Sequence, residues 1–390
     1  MGHFLSARRV RSTLAAVTLL LATTALVTYP RETLEGARAG LELCANVIVP
    51  SLFPFFVVAA LVLDLGFAGA VGRTLAPVMR PLFRLSGVCA SALVLGLVGG
   101  YPVGARTAIE LYKSGQCSRS ETERMLSFCN NSGPAFIFGA VGAGVFGRSQ
   151  VGLLLYSVHV AASLLVGLLF RFYPERGGRT VAAAAAKAGP VSLSAAFTRA
   201  VTGAMSSALN ISAFVLLFSI VIQLLTCSGV LPAAVEVLTR LLAPLEVESG
   251  WIGAGLAGLL ELSVGVGSLA EFGSLSASVT LAAFMLGWAG LSVHCQTLSF
   301  LGGQGLSCRS YLLGKLLHGI FSAVLLRLSL WWVPLSVAGF PTVQAENFAL
   351  LEGNAALTAA VVVSFALFGI FLFLSVCLQW RDGKNHLKKS

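Results

Sequence analysis

Apolar runs of about twenty residues alternate with short polar stretches along most of the chain, the pattern of helices that cross a bilayer. Arg8, Arg9 and Arg11 precede an apolar run from Thr13 to Tyr29. That run is short enough to suit a signal peptide, but no A-x-A cleavage site follows it, so it reads as an uncleaved first helix. A second run, from about Leu43 to Leu65, contains PSLFPFF, and FAGAVGRTLAPVMRPLFRLSG follows as a basic amphipathic segment suited to the membrane interface. An apolar arm (Val88–Val98) then meets GGYPVGA, and the return arm, Arg106–Lys113, is too short to cross. Two short arms around a Gly/Pro tip predict a re-entrant hairpin.

Ser120-Glu121-Thr122-Glu123 reads as a capping box starting a helix through Phe128. That helix breaks at NNSGP and restarts with Ser132 as N-cap and Pro134 in the first turn. A lipid-exposed break would leave backbone groups unpaired, so such breaks belong against protein or a polar cavity. A further span covers Val151–Phe172, and residues 173–204 read as a basic cytoplasmic linker.

The order then recurs. A span at Met205–Thr226 precedes a second amphipathic segment, an apolar arm, a Gly-rich tip in ELSVGVGS, a helix broken at GWAGLSVHCQ and a span at Tyr311–Val333. LAPVMRPLFRLSG aligns with LTRLLAPLEVESG, GYPVG with SVGVG, MLSFCNNSGP with MLGWAGLSVH, and YSVHVAASLL with KLLHGIFSAVL. Four landmarks in one order predict an internal repeat. A last helix, Ala355–Trp380, and the basic tail RDGKNHLKKS close the chain.

Charge orients the two copies. Arg73, Arg80 and Arg84 make the first amphipathic segment basic, whereas its counterpart carries Glu236, Glu246 and Glu248 against Arg240. The positive-inside rule puts the first in the cytoplasm and the second outside, with Glu346 and Glu352 also outside. The expectation is an all-α polytopic membrane protein with two inverted-topology repeats, each with a re-entrant hairpin and a broken transmembrane helix. Its divisions are an N-terminal helix and outer loop (1–42), a first gate-like repeat (43–172), the linker (173–204) and the inverted second repeat (205–333). Residues 334–390 hold an outer loop, a C-terminal helix and a cytoplasmic tail, so both termini are cytoplasmic.

Composition agrees: 390 residues are 56% hydrophobic and 11% charged, against about 25% charged in soluble domains. The net charge of +10 sits in short loops and tails, which topology requires, so nucleic acid is excluded as a partner. The eight cysteines are scattered, without CxxC or zinc spacing, and read as small buried hydrophobes. Two GxGxxG matches, at 142–147 and 253–258, lack a βαβ context and read as close helix packing. HExxH, GxSxG and P-loop motifs are absent from the sequence, and no spacing singles out a nucleophile–base pair. The expectation is no enzyme, no cofactor and no metal, with a coupling proton or cation left open.

The hairpin return arms and the second halves of the broken helices all begin near mid-membrane, at Gly104, Gly267, Ser132 and Ser292. Four helix N-termini would favour an anionic or strongly accepting group. Asn130, Asn131, His294 and Gln296 add donors and acceptors, with Tyr101 and Ser263 at the two tips. Arg106, two residues past the first tip, and Glu261, four residues before the second at Gly265, each need a partner or a job at depth. Arg106 either meets a substrate carboxylate or pairs with Glu110 one turn on. Glu261 either binds substrate or a coupling ion, or caps its own tip. His159 and His318 read as packing histidines whose symmetry leaves proton handling open, and Lys315 as interfacial or paired.

PSLFPFF, GGYPVGA, FCNNSGP, ELSVG and GLSVHCQ together resemble the sporulation integral membrane protein YlbJ family. That family has two Gate (nucleoside recognition) domains and is related to concentrative nucleoside transporters. The resemblance implies a plasma-membrane or forespore-membrane protein of spore-forming bacteria that moves a small anionic solute such as dipicolinate. The nucleoside transporters' Gln-Thr-Glu hairpin tip is missing here. A nucleoside or cation carrier, or a non-transporting scaffold, are the alternatives, and the oligomeric state is open.

Overall fold

The computed structural model describes residues 2–64, 67–174 and 193–332, and these are helical throughout, with no strand among them. Fifteen α-helices follow one another. The first eight are α1 (Gly2–Thr28), α2 (Pro30–Leu43), α3 (Val49–Asp64), α4 (Phe67–Phe83), α5 (Ala90–Gly99), α6 (Val103–Lys113), α7 (Arg119–Leu126) and α8 (Ser149–Phe170). The rest are α9 (Leu193–Cys227), α10 (Val230–Leu241), α11 (Ser249–Leu260), α12 (Leu262–Ser268), α13 (Leu275–Trp288), α14 (Gly290–Leu301) and α15 (Arg309–Ser329). A π-helix, Ala135–Val145, lies between α7 and α8.

Among the described residues, five helical stretches are long and apolar enough to cross a membrane: Pro30–Val58, Ser149–Phe170, Ser194–Cys227, Leu275–Leu301 and Arg309–Ser329. Their outward residues, such as Leu165, Leu209, Leu217 and Val324, are exposed and apolar, as a lipid-facing surface requires. α4 bends by 108° into the stretch holding α5, so the basic amphipathic segment runs across the direction of the hairpin arm.

Several boundaries move. Residues 30–42, expected as an outer loop, form α2, continuous with the second span. Gly36 and Gly40 let α2 lie against α9, where an added Cβ would stand 2.8 Å from the Gln223 Cβ and 3.0 Å from the Ser219 Cβ. α9 begins at Leu193, so the end of the expected linker is helical. The capping box is Ser118–Glu121, not Ser120–Glu123: the Ser118 hydroxyl accepts from the Glu121 N–H while Glu121 accepts from the Ser118 N–H. Glu123 cannot serve as that cap, because its carboxylate accepts from Arg119, Ser307 and Tyr173. The helix after NNSGP takes Pro134 rather than Ser132 as N-cap, since the Ser132 N–H is turned toward His159. The second hairpin turns at Glu261, earlier than the expected tip at Gly265. The last helix, the basic tail and most of the linker lie outside the described residues.

Three apolar clusters hold the bundle among the described residues, the smallest joining Cys44, Ile48 and Leu52 to Ala135 and Val215; the other two are larger. One joins Met79, Phe83, Leu93, Ile109 and Phe128 to Tyr311, and the other joins Ile137, Leu155 and Val158 to Val279, Leu286 and Leu326. Each contains residues from both halves of the chain, so the halves share a core. α13 and α15 pack together, with Gly287 against the backbone of Gly319.

Candidate functional site

Two pairs of helix breaks meet in the interior. In the first half the chain reverses between α5 and α6 at Gly100–Pro102, where Gly100 takes a left-handed φ of 73°. Its backbone lies against Gly133 of the broken span, 2.8 Å from where a Cβ would be. In the second half a single extended residue, Glu261 (φ −140°, ψ 120°), separates α11 from α12. The other broken helix pivots at Ala289, a non-glycine residue held at φ 83°.

One cavity lies where these breaks converge. Gly99, Gly100 and Tyr101 line it ahead of α6; Ser132, Gly133 and Ala135 line it at the π-helix; Glu261, Leu262 and Ser263 line it at α12; Ser292, Val293 and Gln296 line it from α14. Leu52 and Phe56 of α3, with Ile211 and Val215 of α9, add an apolar side. Residues at or just before the starts of α6, the π-helix, α12 and α14 therefore line one space, and a helix start carries a positive dipole end. Its volume is about 50 Å³, a third of the roughly 150 Å³ of a cavity that admits benzene. This conformation has room for a few waters and none for a ring-sized solute.

Glu261 is the acid of the site. It is 2% exposed and caps α12, with Oε2 accepting from the Val264 N–H at 2.7 Å and Oε1 from the Ser292 hydroxyl at 3.4 Å. One carboxylate thus ties the second hairpin to the second broken helix. Ser132 Oγ and Gln296 Oε1 are buried lining atoms without a hydrogen-bond partner. Unmet polar atoms are costly when buried, so they mark where water or a solute belongs.

Behind this wall lies a polar network. Asn130 donates to Thr297 Oγ1 at 3.0 Å, and Tyr311 donates to the same oxygen at 3.2 Å. His294 Nδ1 lies 2.9 Å from the Tyr311 hydroxyl. Asn131 donates to the Phe128 carbonyl at 3.0 Å, satisfying a backbone group freed by the break. Tyr101 donates to the Leu286 carbonyl at 2.6 Å, bridging the two halves. At the centre sits Lys315, wholly buried and bonded to the Asn130 carbonyl, the Tyr101 hydroxyl and His318.

Of the residues expected from sequence, Tyr101, Ser132, Glu261, Ser263, Ser292 and Gln296 line the cavity. Asn130, Asn131 and His294 stand behind it, buried. Gly104 is a packing residue: an added Cβ would collide with the Cys129 carbonyl, as it would at Gly96, so the two hairpin arms clasp the broken span there. Gly267 faces open space inside α12 and lies off the cavity. Arg106 is not brought to the cavity either. Its side chain is 65% exposed and donates to Glu110 at 2.9 Å, because α6 turns that face outward while Gly104, Ala105 and Ala108 pack inward. Lys315 was under-read in sequence, although a lysine inside an apolar span, three residues before His318, carried the signal. No group of three His, Cys, Asp or Glu side chains among the described residues could hold a metal.

The family model for Gate, nucleoside recognition, matches residues 45–149, which hold the first hairpin and the first broken helix. The sporulation integral membrane protein YlbJ of Bacillus subtilis (strain 168) is 31% identical over 354 residues, 85% of each chain. The chain belongs to the YlbJ family. Its fold resembles that of CNTnw. The outward-facing variant matches with a TM-score of 0.52 at 14% identity, over 82% of this chain and 85% of that one. The inward-facing, substrate-bound CNTnw matches with a TM-score of 0.51 at 13% identity, over 81% and 84%. At such identity the likeness concerns the fold alone. For this YlbJ-family chain it means an integral membrane protein with a transporter-like helical fold.

Proposed function

We propose that this chain is an alternating-access carrier of a small anionic metabolite, built from two inverted-topology repeats with re-entrant hairpins. The observation that carries the reading is the convergence of four helix starts on one cavity, because preorganised N–H groups favour a carboxylate or other strongly accepting group at little reorganisation cost. The recurring landmark order supports two repeats, and the opposite charge of their amphipathic segments supports the inversion. The small cavity fits one state of a cycle in which the solute enters only when the hairpins move. A dipicolinate-like dicarboxylate, suggested by the family resemblance, is the first solute to test, in a bacterial plasma or forespore membrane with both termini cytoplasmic.

Glu261 favours a second reading. A carboxylate in the wall, with Gln296 Oε1 unmet, suits a solute that also presents hydroxyl or N–H donors, as a nucleoside does. Uptake of radiolabelled dipicolinate and of uridine into proteoliposomes separates the two. Saturable uptake of dipicolinate alone supports the anion carrier, and uptake of uridine alone supports the nucleoside reading. Flux of neither would favour a non-transporting membrane scaffold.

A further inference from the structure

Lys315 lies on α15, deep in a membrane-spanning segment, with no exposed surface. None of the ion pairs among the described residues includes it. A lone ammonium at such depth is costly and needs partners or a job. Its hydrogen bonds answer that cost. Nζ donates to the Asn130 carbonyl at 3.0 Å, to the Tyr101 hydroxyl at 3.3 Å and to His318 Nδ1 at 3.4 Å, and stands 5.0 Å from the centre of the Tyr101 ring. Three acceptors match the three N–H bonds of an ammonium.

The acceptors sit on parts that must move relative to one another in a carrier. Asn130 belongs to the unwound stretch after α7, where the helix leaves carbonyls free, and unwound carbonyls hold coupling cations in secondary transporters. Tyr101 is the hairpin tip and a cavity wall, so the ammonium is one side chain from the solute space. His318 donates from Nε2 to the His159 carbonyl at 2.9 Å, which leaves Nδ1 of the neutral ring as an acceptor toward Lys315. His159 Nε2 accepts from the Ser132 N–H at 3.0 Å, and Ser132 lines the same cavity. The network thus begins and ends at the cavity wall. The titratable groups around Lys315 are Tyr101 from the hairpin, Cys129 from the broken span, His159 from α8 and His318 from its own helix, with His294 and Tyr311 next to them. No carboxylate is among them.

We infer that Lys315 is the proton-binding site that couples solute movement to the proton gradient. The inference rests on the carrier reading given above. When the hairpin tip withdraws, the ammonium loses the Tyr101 oxygen and faces cavity water. One N–H bond then breaks, its electron pair stays on Nζ as the neutral amine, and the proton passes to water. When the cavity opens to the other side, the Nζ lone pair takes a proton from hydronium there, leaving water, and reclosure on the Asn130 carbonyl holds the restored ammonium. A separate metal cation is not needed at the break, because the tethered ammonium already occupies the carbonyl.

Two measurements on the full-length protein test this. In proteoliposomes, counterflow of dipicolinate or uridine, with solute on both sides, needs no coupling ion, whereas accumulation against a gradient does. The expected result is that Lys315→Gln and Lys315→Arg keep counterflow but lose proton-driven accumulation by about tenfold, the scale of an ordinary coupling free energy. Accumulation by both variants at the unchanged protein's level, or strict dependence on sodium, would overturn the inference. Independently of any flux, the ¹⁵Nζ resonance of Lys315 in detergent, assigned by its loss in Lys315→Arg, should titrate between roughly pH 5 and pH 10. An ammonium that stays protonated across that range is a fixed structural clamp, and the inference then fails whatever the solute does. If the unchanged protein moves neither solute while the resonance titrates, the carrier reading is what fails, and Lys315 stands as a proton site.

Discussion

His318 donates from Nε2 to the backbone carbonyl of His159 at 2.9 Å, with the two ring centres 4.3 Å apart and the rings tilted by 38°. The two residues lie on α8 and α15, which pack together. This contact ties the first broken helix, through the Ser132 N–H on His159, to the lysine that sits one turn from His318. Both histidines are buried and hold defined hydrogen bonds, yet His159 Nδ1 has no partner among the described residues. The pair is therefore a joint between the halves as well as packing.

Glu261 caps α12 and reaches Ser292, so its removal should act on stability and flux separately. Glu261→Ala is expected to cost about 1 kcal/mol through the lost cap. Glu261→Gln, which can still accept from the Val264 N–H, should leave thermal stability in detergent nearly unchanged. It should lower solute flux by about tenfold, as expected when a charged hydrogen-bond acceptor is lost. Equal flux in Glu261→Gln and the unchanged protein would remove Glu261 from the site.

Gly104 and Gly267, both expected at helix starts near the site, should behave oppositely. Gly104→Ala puts a methyl group into the Cys129 carbonyl and should cost about 1–3 kcal/mol. Gly267→Ala meets open space inside a helix and should be neutral or stabilising by up to about 1 kcal/mol. Melting curves of the two purified variants check this, and a stable Gly104→Ala would contradict the packing.

Arg106→Ala is expected to leave flux within about twofold of the unchanged protein, since an exposed i, i+4 pair with Glu110 contributes only about 0.2–0.5 kcal/mol. A loss of binding in the same uptake assay would show that α6 turns Arg106 inward in another state of the cycle.

Glu123 has no exposed surface and accepts from Arg119 at 2.8 Å, the Ser307 N–H at 2.9 Å and the Tyr173 hydroxyl at 3.0 Å. Glu123→Ala should destabilise by about 3 kcal/mol, because it leaves those donors without their acceptor. α7 lies outside the candidate spans. Burial raises the Glu123 carboxyl, but the Arg119, Ser307 and Tyr173 donors outweigh it and hold it below the ordinary carboxylate value. The folded pKa is thus the lower one. Its stabilisation is full above the unfolded value and is lost as pH falls through the folded value. Acid melts of the unchanged protein and Glu123→Gln should converge as pH drops, and a constant gap would contradict the assignment.

Hydrophobic periodicity and helix breakers were enough to mark the long apolar helices and the breaks near Gly100, Asn131 and Ala289, because bilayer thickness and backbone hydrogen bonding admit few alternatives. The family followed from PSLFPFF, GGYPVGA, FCNNSGP and GLSVHCQ in order. Six of the expected site residues line the cavity for the same reason: a break at depth draws polar residues to it. What sequence could not settle is which way each break turns its neighbours. Arg106 and Gly104 lie on one helix two residues apart, and only packing against the Cys129 carbonyl decides that the glycine faces in and the arginine out. Glu261 rather than Gly265 is the second tip, because its carboxylate can cap the helix that follows it. Lys315 looked ordinary along the chain, and only the folding of α15 against the first broken helix brings the Asn130 carbonyl and Tyr101 around its ammonium. Periodicity reports which residues share a helix face, whereas the partners of a buried charge come from segments far apart in sequence, and only the tertiary structure joins them.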